Sequence, residues 1–158
     1  MHSFLQNLVN YNTWANNEVV ESLRSCPEVP RDAVIRLSHI LENNWYVLDI
    51  IDEQDLSKWD ADRDYTIDEC IAEIPKIDAA YKKLLGELKD EQLEYSVRFT
   101  DVAGRNVERR ISELIFHTFD HCSHHRGQIA MIVREAGGEP AQTWYNRWIR
   151  ETGRGKNS

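Results

Sequence analysis

The chain has 158 residues, of which 41% are hydrophobic, and this length allows one domain with a full core, so we expect a single domain over residues 1–158. Its 27 acidic against 19 basic side chains give a formal net charge of −8, which argues against nucleic acid and anionic membranes as partners. Three cysteines, no basic leader and no apolar run of about 20 residues predict a soluble, cytoplasmic protein.

Apolar residues spaced by three and four predict two helices in the first third of the chain. The first covers about residues 3–24, with Ser3 and Gln6 as a capping box. Pro27 ends it, and a second helix covers about residues 31–52, apolar over most of its circumference. Such a helix lies at the centre of a bundle or contacts another subunit.

The middle of the chain predicts a loop, a third helix and a short β segment. An acidic, irregular loop over 52–65 precedes Thr66-Ile67-Asp68-Glu69, the capping box that opens a helix over about residues 67–89. Pro75 lies inside this helix and predicts a kink or a late start. Between residues 93 and 110, alternating apolar and polar residues around a turn predict a small β-hairpin or an extended connection.

The last long helix is predicted over about residues 111–136, and Gly137-Gly138 closes it. A short aromatic tail follows over residues 140–150. Four long amphipathic helices in a chain of this size predict an all-α, four-helix bundle, whose interior is a usual place for metal sites.

This last helix carries four of the six histidines. At about 100° per residue, His121 and His125 fall on the apolar face, whereas His117 and His124 fall at its edge. Two imidazoles four residues apart on an inward face lie one turn above the other and can bind one metal ion. The alternative is that both are buried, hydrogen-bonded histidines with no metal.

A two-histidine site needs further donors, because a reactive zinc site takes three protein ligands and solvent. His39, in the second helix, is the best third ligand, and a buried histidine bonded to a backbone carbonyl is its alternative. Glu42, one turn away, is a candidate general base, or else a solvated or helix-capping carboxylate. Cys122 lies on the apolar stripe, which predicts a packed, inert thiol rather than a nucleophile.

Three segments, Tyr11–Asn16, Leu37–Leu41 and His117–Gln128, resemble the DinB-like family of metal-binding four-helix bundles. The resemblance implies an antiparallel bundle with a crossover connection, a homodimer, and one nickel or zinc ion. In that family the ion is bound by a second-helix histidine and by two histidines four apart, the second followed by Arg-Gly-Gln. The matching positions are the histidines already singled out, His39, His121 and His125.

Characterised branches of this family are thiol-dependent transferases or isomerases that use low-molecular-weight thiols, and others are described as metal-dependent hydrolases. The resemblance therefore implies an enzyme whose metal activates a thiol, or water, for attack on a small electrophilic substrate. The alternative is a non-catalytic, metal-binding dimer that acts in a stress response or in sequestration. An accessible apolar pocket over the histidines favours the enzyme, whereas a site closed by Trp144 and Trp148 favours the alternative.

Overall fold

The computed structural model describes residues 1–53, 56, 59–60 and 63–153. These residues are mostly helical and include one two-stranded antiparallel sheet, so the predicted all-α fold with a small hairpin is confirmed. The elements in chain order are α1 (His2–Arg24), α2 (Arg31–Ile51), α3 (Ile67–Glu87), a 3₁₀ helix (Asp90–Glu94), β1 (Ser96–Thr100), β2 (Asn106–Arg110), α4 (Ile111–Glu135) and α5 (Tyr145–Glu151).

The four long helices pack in a pattern that differs from their order in the chain. Helix α1 packs against α3 and α4, and α2 packs against the same two helices. Helices α1 and α2 therefore lie at diagonal corners, as do α3 and α4, whereas α2 and α3 are adjacent. The connections from α1 to α2 and from α3 to α4 cross the ends of the bundle. Each helix contributes fully buried apolar side chains to one core, and each such side chain stabilises the fold by about 1.5–3 kcal/mol. Examples from the four helices are Leu23, Leu37, Leu85 and Ile115.

Helix α3 begins with the predicted capping box. The Glu69 N–H donates to Oγ1 of Thr66 at 3.2 Å, and the Thr66 N–H donates to Oε2 of Glu69 at 2.7 Å. The expectation of a late start at Pro75 is wrong, because α3 is helical on both sides of this residue. Pro75 is exposed, so the backbone carbonyl that it leaves without a donor lies on the solvent side of the helix.

The first and last helices of the chain differ from what the sequence predicts. Helix α1 begins at His2 with Met1 as its N-cap and has no side-chain cap, so the capping box predicted at Ser3 and Gln6 is wrong. The aromatic tail forms a helix, α5, whose Trp148 packs on α1. The irregular loop predicted over 52–65 lies partly outside the described residues.

The segment before α4 is a β-hairpin rather than an extended connection. Strands β1 and β2 pair antiparallel, with Phe99 opposite Val107 and Val97 opposite Arg109. Gly104 in the turn has a φ of 76°, which a residue without Cβ adopts at little cost. Strand β2 runs directly into α4, so the hairpin is held beside the start of that helix. Among the described helices, none combines the length and the apolar character that a membrane span needs.

Candidate metal centre

Helices α2 and α4 bring three histidines together. His39 on α2 faces His121 and His125, which lie one turn apart on α4. One ring nitrogen from each residue lies within 4.8 Å of those of the other two. The ring centroids are 4.4 to 5.1 Å apart. The packing of α2 against α4 thus gathers the three side chains that sequence reasoning selected as metal ligands.

The burial of the histidines follows the predicted helical face. His125 is 9% exposed, and His121 is half-buried. His117 and His124, predicted at the edge of the apolar face, are exposed. His117 stays near the cluster, with its ring centroid 6.1 Å from that of His121. The helical periodicity therefore separated the inward pair from the outer pair correctly.

Gln128 holds the ring of His125 in one orientation. Nδ1 of His125 lies 2.8 Å from Oε1 of Gln128, and the Gln128 amide nitrogen lies 3.0 Å from Nε2 of His124. Because the carboxamide oxygen accepts the hydrogen bond, Nδ1 of His125 carries the proton and Nε2 keeps its lone pair. A lone pair on the inward nitrogen is what a metal ion requires of a histidine ligand.

The spacing of the ring nitrogens fits a shared ion. Nε2 of His121 and Nε2 of His125 are 3.1 Å apart. Two imidazoles bound to one zinc ion, at about 2.0–2.1 Å each, place their nitrogens about 2.9–3.4 Å apart. Nδ1 of His121 is buried and has no hydrogen-bond partner among the described residues. The three residues therefore fit a divalent metal ion.

Burial keeps these imidazoles in the form that binds metal. Desolvation, with the neighbouring rings of His125 and His39 as lesser causes, lowers the pKa of His121 from 6.5 to about 4. Desolvation also lowers the pKa of His125. Both rings are neutral at pH 7, so no proton has to leave before a metal ion binds.

A cavity of about 850 Å³ lies beside His39 and His121, between α2, α4 and the hairpin. Its wall is mainly apolar and aromatic. The residues of this kind are Tyr46, Val47, Ile50, Trp59, Phe99, Val102, Val107 and Leu114. The tail does not close the cavity, since Trp148 packs against Tyr11 with ring centroids 6.0 Å apart and Trp144 is 70% exposed.

Glu42, the candidate general base, is engaged elsewhere. It is 4% exposed, and its carboxylate accepts the hydrogen bond of the Tyr65 hydroxyl. Nε of Arg63 lies 4.0 Å from the same carboxylate. These residues line a separate depression of about 330 Å³. The structure thus brings Glu42 to the 63–65 segment and not to the wall of the cavity beside the histidines.

Cys122 and Arg126 are buried next to the histidines on α4 and contact other helices, Cys122 through Asn44 of α2 and Arg126 through Asn12 and Asn16 of α1. Cys122 is fully buried, and burial raises the pKa of its thiol, as expected for an inert, packed cysteine. Arg126 is 2% exposed and donates to Oδ1 of Asn12 at 2.7 Å and to Oδ1 of Asn16 at 3.1 Å. Its guanidinium also lies over the Tyr11 ring, 5.3 Å from the centroid. Two of the segments that carry the family resemblance therefore meet in a buried polar contact.

The helical bundle and the three-histidine cluster between α2 and α4 place this chain among helical proteins suited to bind a metal ion. Residues 1–156 match the DinB family, and the chain belongs to that family. It is 24% identical over 164 residues to Protein DinB of Bacillus subtilis (strain 168), an alignment that covers 94% of this chain and 95% of that protein.

Several residues of the site were not selected from the sequence. Asn43 lies one turn after His39 and lines the cavity, and Gln128 lies three residues after His125. Both could have been found, because helical spacing places them beside a selected histidine. The hairpin side chains Phe99 and Val107 had no such signal, since only the tertiary structure brings the hairpin to α2.

Proposed function

We propose that this protein is a divalent-metal-dependent enzyme. His39, His121 and His125 hold one nickel or zinc ion, and a thiol, or as a second choice water, is activated there for attack on a small electrophilic substrate. The observation that carries the proposal is the three-imidazole cluster at the wall of a large cavity. The family membership of the chain supports it.

The residues of the site have separate parts in this function. The three imidazoles are neutral donors and leave the charge of the ion undiminished. A divalent ion bound by them supplies the Lewis acidity that lowers the pKa of a thiol or of water. Gln128 keeps Nε2 of His125 free of a proton by accepting from Nδ1. The aromatic wall of the cavity excludes water from part of the substrate, which favours a thiol over water as the nucleophile.

The cavity also favours an enzyme over a non-catalytic metal-binding module. A module that only sequesters a metal needs no space beside the histidines. Here about 850 Å³ lies next to His39 and His121, and sites for small molecules typically enclose about 300–1,000 Å³. The tail residues Trp144 and Trp148, which could have covered the histidines, do not line this cavity.

The first test is the metal content of untagged protein purified without nickel resin. We expect about one divalent ion per chain in the wild type and little or none in His39→Ala and His121→Ala. His2→Ala is the matched control, because this histidine lies at the start of α1 beside Asp90 and should leave the metal content unchanged. Wild-type protein that neither holds nor takes up zinc or nickel would contradict the proposal.

The second test is catalysis by the metal-loaded protein. Low-molecular-weight thiols are offered together with small electrophiles, and the loss of free thiol is followed over time. We expect turnover in the loaded wild type that a chelator abolishes and that added metal restores. His121→Ala should lack this activity at every metal concentration. Full metal content without turnover of any thiol or hydrolysable substrate would support the non-catalytic module instead.

A further inference from the structure

The cavity beside the histidines concentrates buried polar atoms that lack partners. A buried polar atom without a hydrogen bond costs about 1–3 kcal/mol, so such atoms are rare in a packed core. Five occur among the described side chains, and four of these belong to residues that line this one cavity. The four atoms are Asn43 Oδ1, Tyr46 OH, Trp59 Nε1 and His121 Nδ1. Their concentration in one place is typical of a binding site.

The wall of α2 leads from the histidine cluster to an aromatic pair. His39, Asn43 and Tyr46 follow one another at helical spacings of four and three, and so lie along one face of α2. The Tyr46 ring packs against Trp59 with centroids 4.3 Å apart. Phe99 lines the cavity from the hairpin. This middle part of the cavity suits a flat group with apolar faces and polar atoms at its edge.

Each carboxylate around the outer part of the cavity pairs with an arginine. Each of the three that line it forms a salt bridge of 2.5 to 2.7 Å within the described structure. The pairs are Asp101 with Arg105, Glu108 with Arg98, and Glu113 with Arg110. The pairing weakens the repulsion of an anionic ligand but does not remove it, because Arg110 also pairs with Glu94 and the charge of Asp101, after desolvation, contributes to the raised pKa of Tyr46.

Arg109 is the lining cation that has no such pair among the described residues. One of its Nη atoms donates to the backbone carbonyl of the neighbouring Glu108 at 2.8 Å. Arg110 is the main cause of the lowered pKa of Glu113, and the charge of Arg109 is a minor one. Arg109 and Val107 are two residues apart on β2, and so lie on the same face of the hairpin. That face lines the cavity, so an unpaired positive charge lies at its outer end.

We propose that this cavity binds a small organic carboxylate with a flat body, apolar on its faces and polar at the edge that meets Asn43, Tyr46 and Trp59. The carboxylate pairs with Arg109, the body packs between Tyr46, Trp59 and Phe99, and the opposite end reaches the three histidines. The assignment of that opposite end as the reacting end rests on the function proposed above. A guanidinium recognises a carboxylate through two parallel hydrogen bonds, which a neutral amide cannot reproduce.

The test compares two probes that differ only in charge, 4-phenylbutyrate and 4-phenylbutyramide, on metal-free protein at about pH 8. This pH lies above the reference pKa of imidazole, and without metal a carboxylate has no ion to bind. We expect the carboxylate to bind about three- to tenfold more tightly, since an ion pair to the exposed Arg109 contributes modestly and a bidentate geometry adds to it. Nuclear magnetic resonance titration measures both affinities.

Three variants and one signal locate the binding. Arg109→Gln should remove the preference for the carboxylate, and Arg134→Gln, at the far end of α4, should keep it. Trp59→Ala should weaken both probes equally. The indole N–H signal of Trp59 should shift on titration, while that of the exposed Trp144 stays in place.

Equal affinity for the two probes, a preference that survives Arg109→Gln, or no binding of either probe at millimolar concentration would overturn the proposal. None of these results depends on metal content. Failure of the metal-site proposal is detected separately by elemental analysis, so the two failures are distinguishable.

Discussion

Replacing Gln128 by leucine is expected to weaken metal binding about tenfold. In the structure Nδ1 of His125 lies 2.8 Å from Oε1 of Gln128, and His125 is 9% exposed, so little water is available to replace this acceptor. Without the acceptor, the ring of His125 can rotate or can carry its proton on Nε2. Nε2 is the atom that lies 3.1 Å from Nε2 of His121, and protonation there removes a ligand.

The magnitude follows from the single hydrogen bond that is lost. A neutral hydrogen bond contributes about 0.5–1.5 kcal/mol net, which is about 2- to 13-fold in an equilibrium constant. Groups that orient ligating histidines typically change metal affinity by about 10–100-fold. The two ranges meet near tenfold, or about 1.4 kcal/mol.

The assay is competition for zinc between the protein and a chelating dye. Gln128→Glu is the conservative variant, because it keeps an oxygen near Nδ1 of His125 and should retain the wild-type affinity. His124→Ala removes only the second partner of Gln128, at an exposed position, and should change the affinity less than Gln128→Leu does. An unchanged affinity in Gln128→Leu, with normal thermal unfolding, would refute the positioning role of Gln128.

Three further predictions concern stability. Thr66→Ala should lower the free energy of unfolding, measured in urea, by about 1 kcal/mol, because the first turn of α3 loses its cap; a loss near zero would contradict the capping box. Leu41→Ala, at a fully buried position, should lower the free energy of unfolding by about 2–5 kcal/mol. Ile35→Ala, at a position 43% exposed, should lower it by less than about 1 kcal/mol, and equal losses in the two variants would contradict the packing of α2. Metal-free protein should lose stability as the pH falls from 6.5 towards 4, because the pKa of His121 is depressed on folding and the unfolded chain therefore binds more protons in this window. The contribution is complete above pH 6.5, and His121→Gln should flatten the dependence of the melting temperature on pH; an identical pH profile in the variant would contradict this origin.

The sequence determined the helices and the spacing within each of them. Apolar residues at intervals of three and four mark the inward face of each long helix, and residues such as Pro27 and Gly137 end the pattern. His121 and His125 lie together for the same local reason, since residues four apart on a helix are one turn apart in any fold. The capping box at Thr66 is likewise a local contact.

Local sequence patterns gave a wrong prediction at the start of α1 and did not predict the contact of Glu42, whose partner is distant in the chain. Ser3 and Gln6 match a capping box, yet α1 begins one residue earlier and the match is not used. Glu42 is one turn from His39, as expected, but its carboxylate contacts Tyr65, a residue 23 positions later in the chain. A helical pattern describes neighbours on one helix and contains no information on such a contact.

Tertiary structure alone decided which helices meet and what lies between them. The apolar circumference of α2 predicts that this helix is covered on several sides, but it does not show that α2 packs against α4 rather than α1. That choice places His39 beside His121 and His125, and it brings the hairpin over the cavity. The physical reason is that backbone hydrogen bonds within a helix set its spacing locally, whereas the arrangement of helices minimises exposed apolar surface summed over the whole chain.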